Sequence, residues 1–148
     1  MLSTHILLPT DLSDEALRAF PAVRDLARKT GAKVTLLHVV FTLLDTSAGE
    51  RMGTPVGPPD YESEVQAAQE ALEAQAETLS GGLDLEVRAI QSTNVAKAIA
   101  SYAVEHDVSL IALSTHGRSG FRRLLLGSVA EELLRHAEVP VLCFPRHE

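Results

Sequence analysis

Five short apolar segments, separated by longer segments with helical patterns, constrain this chain more than any other feature of its sequence. They cover residues 6–8, 33–40, 83–90, 108–113 and 139–144. The last two are almost continuously apolar, which is typical of strands covered by helices on both faces. Strands that alternate with helices indicate right-handed crossovers between parallel neighbours. We therefore predict an α/β fold with one domain over residues 1–148 and a doubly wound, five-stranded parallel sheet with helices on both faces.

Four helices are predicted between these strands. Ser13 is a suitable N-cap for the first, and Gly31 follows its basic last turn. The second helix is predicted over residues 61–79, where apolar residues recur at spacings of three and four. The third follows Asn94 as its N-cap, and the fourth runs over residues 128–136.

Two segments depart from this regular pattern. Pro21 lies inside the first predicted helix, where it lacks a backbone donor and clashes with the carbonyl of Leu17, so we expect a kink near Leu17. Residues 41–60 contain several glycines and prolines and have no apolar periodicity. A long loop of this kind is usually functional or mobile.

The composition excludes several classes of function. The 13 Lys and Arg against 20 Asp and Glu give a net charge of -7, which argues against broad binding to nucleic acid or anionic membranes. Cys143 is the only cysteine, so no intramolecular disulfide or thiolate metal cluster is expected. The histidines are not spaced as metal ligands, so no transition-metal site is expected. No window approaches the ~18 apolar residues of a membrane helix, and residues 1–8 do not resemble a signal peptide, so we expect a cytoplasmic protein.

The segment after the fourth predicted strand has the features of a phosphate-binding loop. It reads STHGRSG over residues 114–120 and meets the fourth helix at Gly127-Ser128. Glycines let backbone amides approach phosphate oxygens, and a helix N-terminus directs N–H groups and a positive dipole end at the same anion. Arg118, Arg122 or Arg123 could add positive charge. The segment is neither a Walker A loop nor a Gly-x-Gly-x-x-Gly motif after the first strand.

The position of this segment in the predicted sheet favours a ligand site over a simple tight turn. In a doubly wound sheet the ligand lies at the carboxyl ends of strands where the strand order reverses, commonly between the first strand and a later one. Pro9-Thr10-Asp11 ends the first strand. Asp11 could accept hydrogen bonds from a base or a ribose, although on its own it would more commonly be a helix-capping or loop carboxylate.

Several motifs together resemble the nucleotide-binding branch of the universal stress protein family. They are residues 6–11, Leu36-Leu37-His38-Val39, His116-Gly117 and Gly127-Ser128, and the resemblance extends over essentially the whole chain. The family's pattern is Gly-x-x-Gly, nine residues, then Gly-Ser or Gly-Thr. Gly117, Gly127 and Ser128 match its last three positions, and Ser114 replaces its first glycine. A second departure is Thr93-Asn94-Val95, where the family commonly has Gly-x-Pro.

The resemblance implies a fold like that of the adenine nucleotide α-hydrolases, and a site for ATP or AMP, with or without Mg²⁺. By the same resemblance, the adenine would contact the end of the first strand and one residue of the second. The ribose would contact the end of the fourth strand, and the phosphates the loop and the start of the fourth helix. The implied site consists of Pro9, Thr10, Asp11, Val39, Ser114, His116, Gly117, Arg118, Gly120, Gly127, Ser128 and Val129.

These expectations lead to one functional hypothesis and two alternatives. The hypothesis is an ATP-binding module that acts in stress or energy-state signalling and forms a homodimer through the terminal strand, residues 139–142. No P-loop lysine and no base that orients water is apparent, so at most slow ATP hydrolysis is expected and no catalytic residue is assigned. One alternative, suggested by Ser114, is a dimeric interaction module of the same family that binds no nucleotide. The other is a flavodoxin-like phosphate-ester enzyme in which Asp11 and His116 act as acid and base.

Overall fold

The computed structural model describes residues 4–43, 61–79, 81–114 and 127–144, in which five strands alternate with four α-helices. A short 3₁₀ helix, Glu15–Ala19, precedes the first α-helix. The strands are β1 (His5–Pro9), β2 (Lys33–Phe41), β3 (Leu85–Ser92), β4 (Leu110–Ser114) and β5 (Val141–Phe144). The helices are α1 (Phe20–Thr30), α2 (Tyr61–Leu79), α3 (Val95–Glu105) and α4 (Ser128–His136).

The five strands form one parallel sheet in the order β3-β2-β1-β4-β5. β1 is therefore flanked by β2 on one side and β4 on the other, and the strand order reverses between β1 and β4. In that pair Ile6 lies opposite Leu110 and Leu7 opposite Ile111. The sheet confirms the predicted doubly wound architecture. It places the carboxyl ends of the inner strands β1 and β4 next to each other.

Two hydrophobic clusters cover the two faces of the sheet. Because side chains alternate along a strand, Ile6 and Leu8 enter one cluster and Leu7 enters the other. The first cluster includes Val23 of α1 and Leu72 of α2, with both side chains fully buried. The second cluster is formed largely with α3 and α4. The nearly continuous apolar runs in the sequence reflect this two-sided burial.

The first helix differs from its prediction. Instead of one kinked helix from Ser13, the chain forms the 3₁₀ helix and then α1, which begins at Phe20. Pro21 thus lies in the first turn of α1, where a missing N–H breaks no intrahelical hydrogen bond. The Ser13 hydroxyl accepts a hydrogen bond from the Ala16 N–H at 3.3 Å, so Ser13 still acts at the helix start. The remaining helices begin and end where they were predicted to within a few residues.

Two further predictions concern the long loop after β2 and the single cysteine. Phe41 ends β2 and is exposed, and residues 44–60 of the predicted long loop lie outside the described residues. Cys143 is half-buried in the edge strand β5, and burial raises the pKa of its thiol. In the part of the chain that the structure describes, no helix is long and apolar enough to span a membrane.

Candidate functional site

The loop after β1 is held in place by hydrogen bonds from two other parts of the fold, β2 and α2. Thr10 is buried, and its N–H donates to the Leu37 carbonyl at 2.8 Å. Its hydroxyl donates to Oε1 of Gln75 in α2 at 2.9 Å and accepts from the Leu12 N–H at 3.1 Å. Its carbonyl lies 2.8 Å from Nδ1 of His38, and because a carbonyl can only accept, that nitrogen carries the proton. Thr10 therefore anchors the loop to β2 and α2.

One residue of this loop has a backbone conformation that is costly for any residue other than glycine. Leu12 has φ +68°, in the left-handed region, which costs roughly 1–2 kcal/mol for such a residue. On either side of it, Oδ1 of Asp11 accepts hydrogen bonds from the Ser13 N–H at 2.9 Å and from the Ser13 hydroxyl. Nε2 of Gln75 donates to the Ser13 carbonyl at 3.3 Å. These contacts fix the carboxylate of Asp11 beside the end of β1.

The start of α4 presents backbone donors. Its N-cap is Gly127, in extended backbone with φ -69° and ψ 161°, and it makes no side-chain capping hydrogen bond. The first hydrogen bond within the helix runs from the Glu131 N–H to the Gly127 carbonyl at 2.9 Å. The N–H groups of Ser128, Val129 and Ala130 precede that bond, and the positive end of the helix dipole lies at the same place. Ser128 and Val129 are exposed, so an anion can reach this helix terminus.

Eight of the twelve predicted site residues lie in the described part of the chain. Pro9, Thr10 and Asp11 lie at the carboxyl end of β1, and Ser114 ends the neighbouring β4. Val39 is buried in β2 with the cluster on the α3 and α4 face, whereas the Thr10 hydroxyl is bound on the α2 side. Gly127, Ser128 and Val129 form the start of α4. The predicted loop residues His116, Gly117, Arg118 and Gly120 lie outside the described residues.

Three residues that shape this region were not predicted as residues of the site. His38 interrupts an otherwise buried apolar strand, and Gln75 lies three residues after the fully buried Leu72 on α2. Ser13 was predicted only as a helix cap, whereas it also binds Asp11. A polar residue inside an apolar stripe must find a hydrogen-bond partner when it is buried. That rule points to His38 and Gln75, but it does not identify their partners.

The described residues contain no group of three or more His, Cys, Asp or Glu side chains that could hold a metal ion. What they offer chemically is hydrogen bonding: a fixed carboxylate at one strand end and backbone donors at a helix start. Such an arrangement can bind a ligand that has both donor groups and an anionic group.

A comparison with protein families matches residues 3–145 to a family model described as the universal stress protein family. The chain belongs to the universal stress protein family. Among curated relatives it is similar to the universal stress protein MJ0531 of Methanocaldococcus jannaschii, with 30% identity over 95% of this chain and 81% of that protein.

Solved structures of the family have the same fold. One is the protein MJ0577, with a TM-score of 0.77 and 23% identity over 100% of this chain and 99% of that one. A universal stress protein in complex with cAMP aligns with a TM-score of 0.68 and 22% identity over 99% and 100% of the two chains. A universal stress protein from Archaeoglobus fulgidus in complex with dAMP aligns with a TM-score of 0.58 and 21% identity over 97% and 98%. At these identities the likeness establishes the fold alone.

Proposed function

We propose that this universal stress protein binds ATP or a related adenine nucleotide across the carboxyl ends of β1 and β4. The observation that carries the proposal is the reversal of strand order between these two strands, which places Asp11 and Ser114 at neighbouring strand ends. Ligands of doubly wound sheets bind at this point. The proposed site has two halves, the strand ends with Asp11 and Ser114 and the start of α4, and these match the two chemical halves of a nucleotide.

The phosphate half of the proposed site is the start of α4. Three consecutive N–H groups, those of Ser128, Val129 and Ala130, precede the first intrahelical hydrogen bond. Gly127 brings no side chain that competes with a ligand for those donors. Phosphate oxygens accept such hydrogen bonds and are attracted by the helix dipole. We propose that Gly117 and Arg118 of the preceding loop complete this half of the site.

The base and ribose half of the proposed site is the end of β1. The Asp11 carboxylate is held by Ser13, and a carboxylate accepts hydrogen bonds from an exocyclic amine or a sugar hydroxyl. Val39 in the neighbouring strand β2 is buried in the cluster on the α3 and α4 face, and we propose that the base contacts its apolar side chain. Ser114 would contact the ribose through its hydroxyl. The structures of family members with cAMP and dAMP support adenine nucleotides as the ligand class.

We propose binding and signalling rather than efficient turnover. Rapid phosphoryl transfer relies on a charged group on the phosphates and on a residue that positions the attacking water. Oδ1 of Asp11 already accepts two hydrogen bonds from Ser13, which makes this carboxylate a fixed acceptor in the loop. Occupancy of the site would then be the signal of stress or energy state, with at most slow ATP hydrolysis.

The ligand can be identified directly. The protein is purified without added nucleotide and extracted, and any nucleotide is identified by mass spectrometry, after which ATP and AMP are titrated against the wild type and Gly117→Val. We expect adenine nucleotide binding that the added side chain weakens at least tenfold. Equal, weak binding by both proteins would contradict the site. Rapid multiple turnover that is lost in Asp11→Asn or His116→Ala would contradict the signalling proposal.

We also propose a homodimer that pairs through β5. β5 is an edge strand of the sheet, so one side of its backbone has no neighbouring strand in the described chain. Leu142 at its centre is 39% exposed. An exposed apolar edge strand favours pairing with another strand, and a two-fold axis lets identical strands pair with each other.

A further inference from the structure

Asn94 connects the starts of two helices through a single side chain. Its Oδ1 accepts a hydrogen bond from the Lys97 N–H at 3.0 Å and so caps α3. Its Nδ2 donates to Oε1 of Glu132 in α4 at 3.1 Å. The two partners are 35 residues apart in sequence, and each lies within two turns of the N-terminus of its helix.

The chemistry of the partners fixes the orientation of this side chain. The Lys97 N–H can only donate, so it requires the amide oxygen of Asn94, and an ionised Glu132 carboxylate can only accept, so it requires the amide nitrogen. The backbone of Asn94 is held as well, because the Ser92 hydroxyl accepts from its N–H and donates to its carbonyl, both at 3.1 Å. Asn94 therefore has one arrangement that satisfies all four contacts.

The α4 end of this connection lies beside the proposed phosphate donors. Glu132 follows Glu131, whose N–H makes the first hydrogen bond of α4 to Gly127. In a helix, residues three and four apart lie above one another, so Glu132 is one turn from Ser128 and Val129. Any movement of the first turn of α4 would displace the Glu132 carboxylate and so disturb its hydrogen bond with Asn94.

We propose that Asn94 is a positioning residue that couples the first turn of α4 to the first turn of α3. Asn94 holds the α4 N–H groups in place for phosphate. Through the same side chain, a nucleotide bound at the start of α4 would stabilise the cap of α3. The functional use of this coupling rests on the proposed nucleotide binding. Because coupling between two sites is reciprocal, a ligand that orders the start of α4 also stabilises the capped turn of α3.

A test must separate the contact from the charge of Glu132, since a carboxylate near a phosphate site repels the ligand. Glu132→Gln removes the charge but keeps an oxygen that accepts from Asn94. Glu132→Ala removes both. Glu131→Ala is the matched control, because Glu131 carries the same charge one position earlier. Its side chain does not contact Asn94 in the described part of the chain but pairs with exposed Arg135 at 3.3 Å.

The measurement is residue-resolved amide hydrogen exchange with and without ATP. The reporters are the N–H groups of Lys97, bonded to Oδ1 of Asn94, and of Glu131, bonded to Gly127. Without ATP, Glu132→Ala should speed exchange at both reporters by roughly threefold to tenfold, the effect expected for one lost hydrogen bond to a charged group that is partly exposed. Glu132→Gln should stay within about twofold of the wild type.

With ATP, the Lys97 amide should become more protected in the wild type and in Glu131→Ala but not in Glu132→Ala. ATP should also bind Glu132→Ala about threefold or more weakly than Glu132→Gln. Equal exchange at Lys97 in Glu132→Ala and Glu132→Gln without ATP would overturn the coupling. If the wild type binds no nucleotide, the proposed function fails, while the exchange rates without ATP still decide whether Asn94 couples the helices.

Discussion

Nδ1 of His38 donates a hydrogen bond over 2.8 Å to the carbonyl of Thr10, 28 residues earlier in the chain. The contact ties β2 to the residue that follows β1, immediately before Asp11. It works together with Gln75 of α2, which binds the Thr10 hydroxyl from another side. The loop that carries the proposed nucleotide contacts is thus shaped by two side chains that lie far from it in sequence.

His38→Leu should lower the free energy of unfolding by about 1–2 kcal/mol, because the variant leaves the carbonyl of buried Thr10 without this donor. Urea denaturation measures that loss, and ATP titration should show weaker binding as the Asp11 loop loosens. His38→Asn is the matched control, since its amide nitrogen can occupy the position of Nδ1. Equal stability and equal ATP affinity in all three proteins would show that the contact does not shape the site.

The Gln69 side chain of α2 binds the backbone of the edge strand β3. Nε2 of Gln69 donates to the Val87 carbonyl at 3.3 Å, and Oε1 accepts from the Ala89 N–H at 3.1 Å. A glutamine amide here takes the place of a neighbouring strand and so blocks pairing with another molecule. Gln69→Ala should speed exchange of the Ala89 amide about tenfold and cost about 1 kcal/mol of stability. The control is Gln66→Ala, an exposed position on the same helix, and comparable exchange in the two variants would contradict this role.

The ion pair between β2 and β3 makes stability depend on pH. Lys33 Nζ lies 2.6 Å from Glu86 Oε2, and this hydrogen bond lowers the pKa of the Glu86 carboxyl. A carboxyl with a lowered folded-state pKa stabilises the fold above its unfolded-state pKa, and the contribution is lost as the pH falls through the folded-state pKa. The stability difference between wild type and Glu86→Gln should therefore shrink between about pH 5 and pH 3.

The size of that pH effect should stay below about 1 kcal/mol, because both side chains are partly exposed and screened by solvent. Thermal denaturation across this pH range measures it. A constant difference between wild type and Glu86→Gln from pH 7 to pH 3 would contradict the role of the two cations that contact Glu86, which are Lys33 and, at 2.7 Å from Oε1, Arg88.

Leu142→Lys should convert the proposed homodimer into a monomer, because it places a charge at the centre of the exposed edge strand β5. Sedimentation velocity at several protein concentrations measures the change. Val104→Lys is the control, since Val104 is 49% exposed on α3 and not on β5. A dimer that survives Leu142→Lys as well as Val104→Lys would place the interface elsewhere.

The sequence predicted the fold because its signals are local. Apolar runs of strand length and recognisable helix caps identify each element, as the agreement at residues 61–79 and 128–136 shows. The break at the first helix was not predicted, since Pro21 is compatible either with a kink or with a new helix start. Which of the two occurs depends on how the loop through Thr10 and Ser13 leaves the sheet, and that is set by distant partners.

The neighbouring position of the two strand ends was predicted for a similar reason. Topology alone brings the ends of β1 and β4 together, so Asp11 and Ser114 could be paired from the sequence. The contacts of His38, Gln75 and Asn94 join residues 28, 65 and 38 positions apart. No local pattern encodes such pairings, which arise only when helices and strands pack.

Ser128→Pro tests whether the backbone at the start of α4 binds phosphate, because it removes one N–H group. Proline is tolerated at the first position of a helix, and Gly127, with φ -69° and ψ 161°, already has the extended conformation that a following proline requires. Ser128→Ala is the control, since it removes the hydroxyl but keeps the N–H.

The deciding measurement is the ATP dissociation constant of wild type, Ser128→Ala and Ser128→Pro by isothermal titration calorimetry, with circular dichroism to verify that α4 is intact. Ser128→Pro should bind ATP about tenfold or more weakly than Ser128→Ala, because a hydrogen bond to a charged acceptor is lost. Equal ATP affinity in the two variants would contradict a phosphate site at the start of α4.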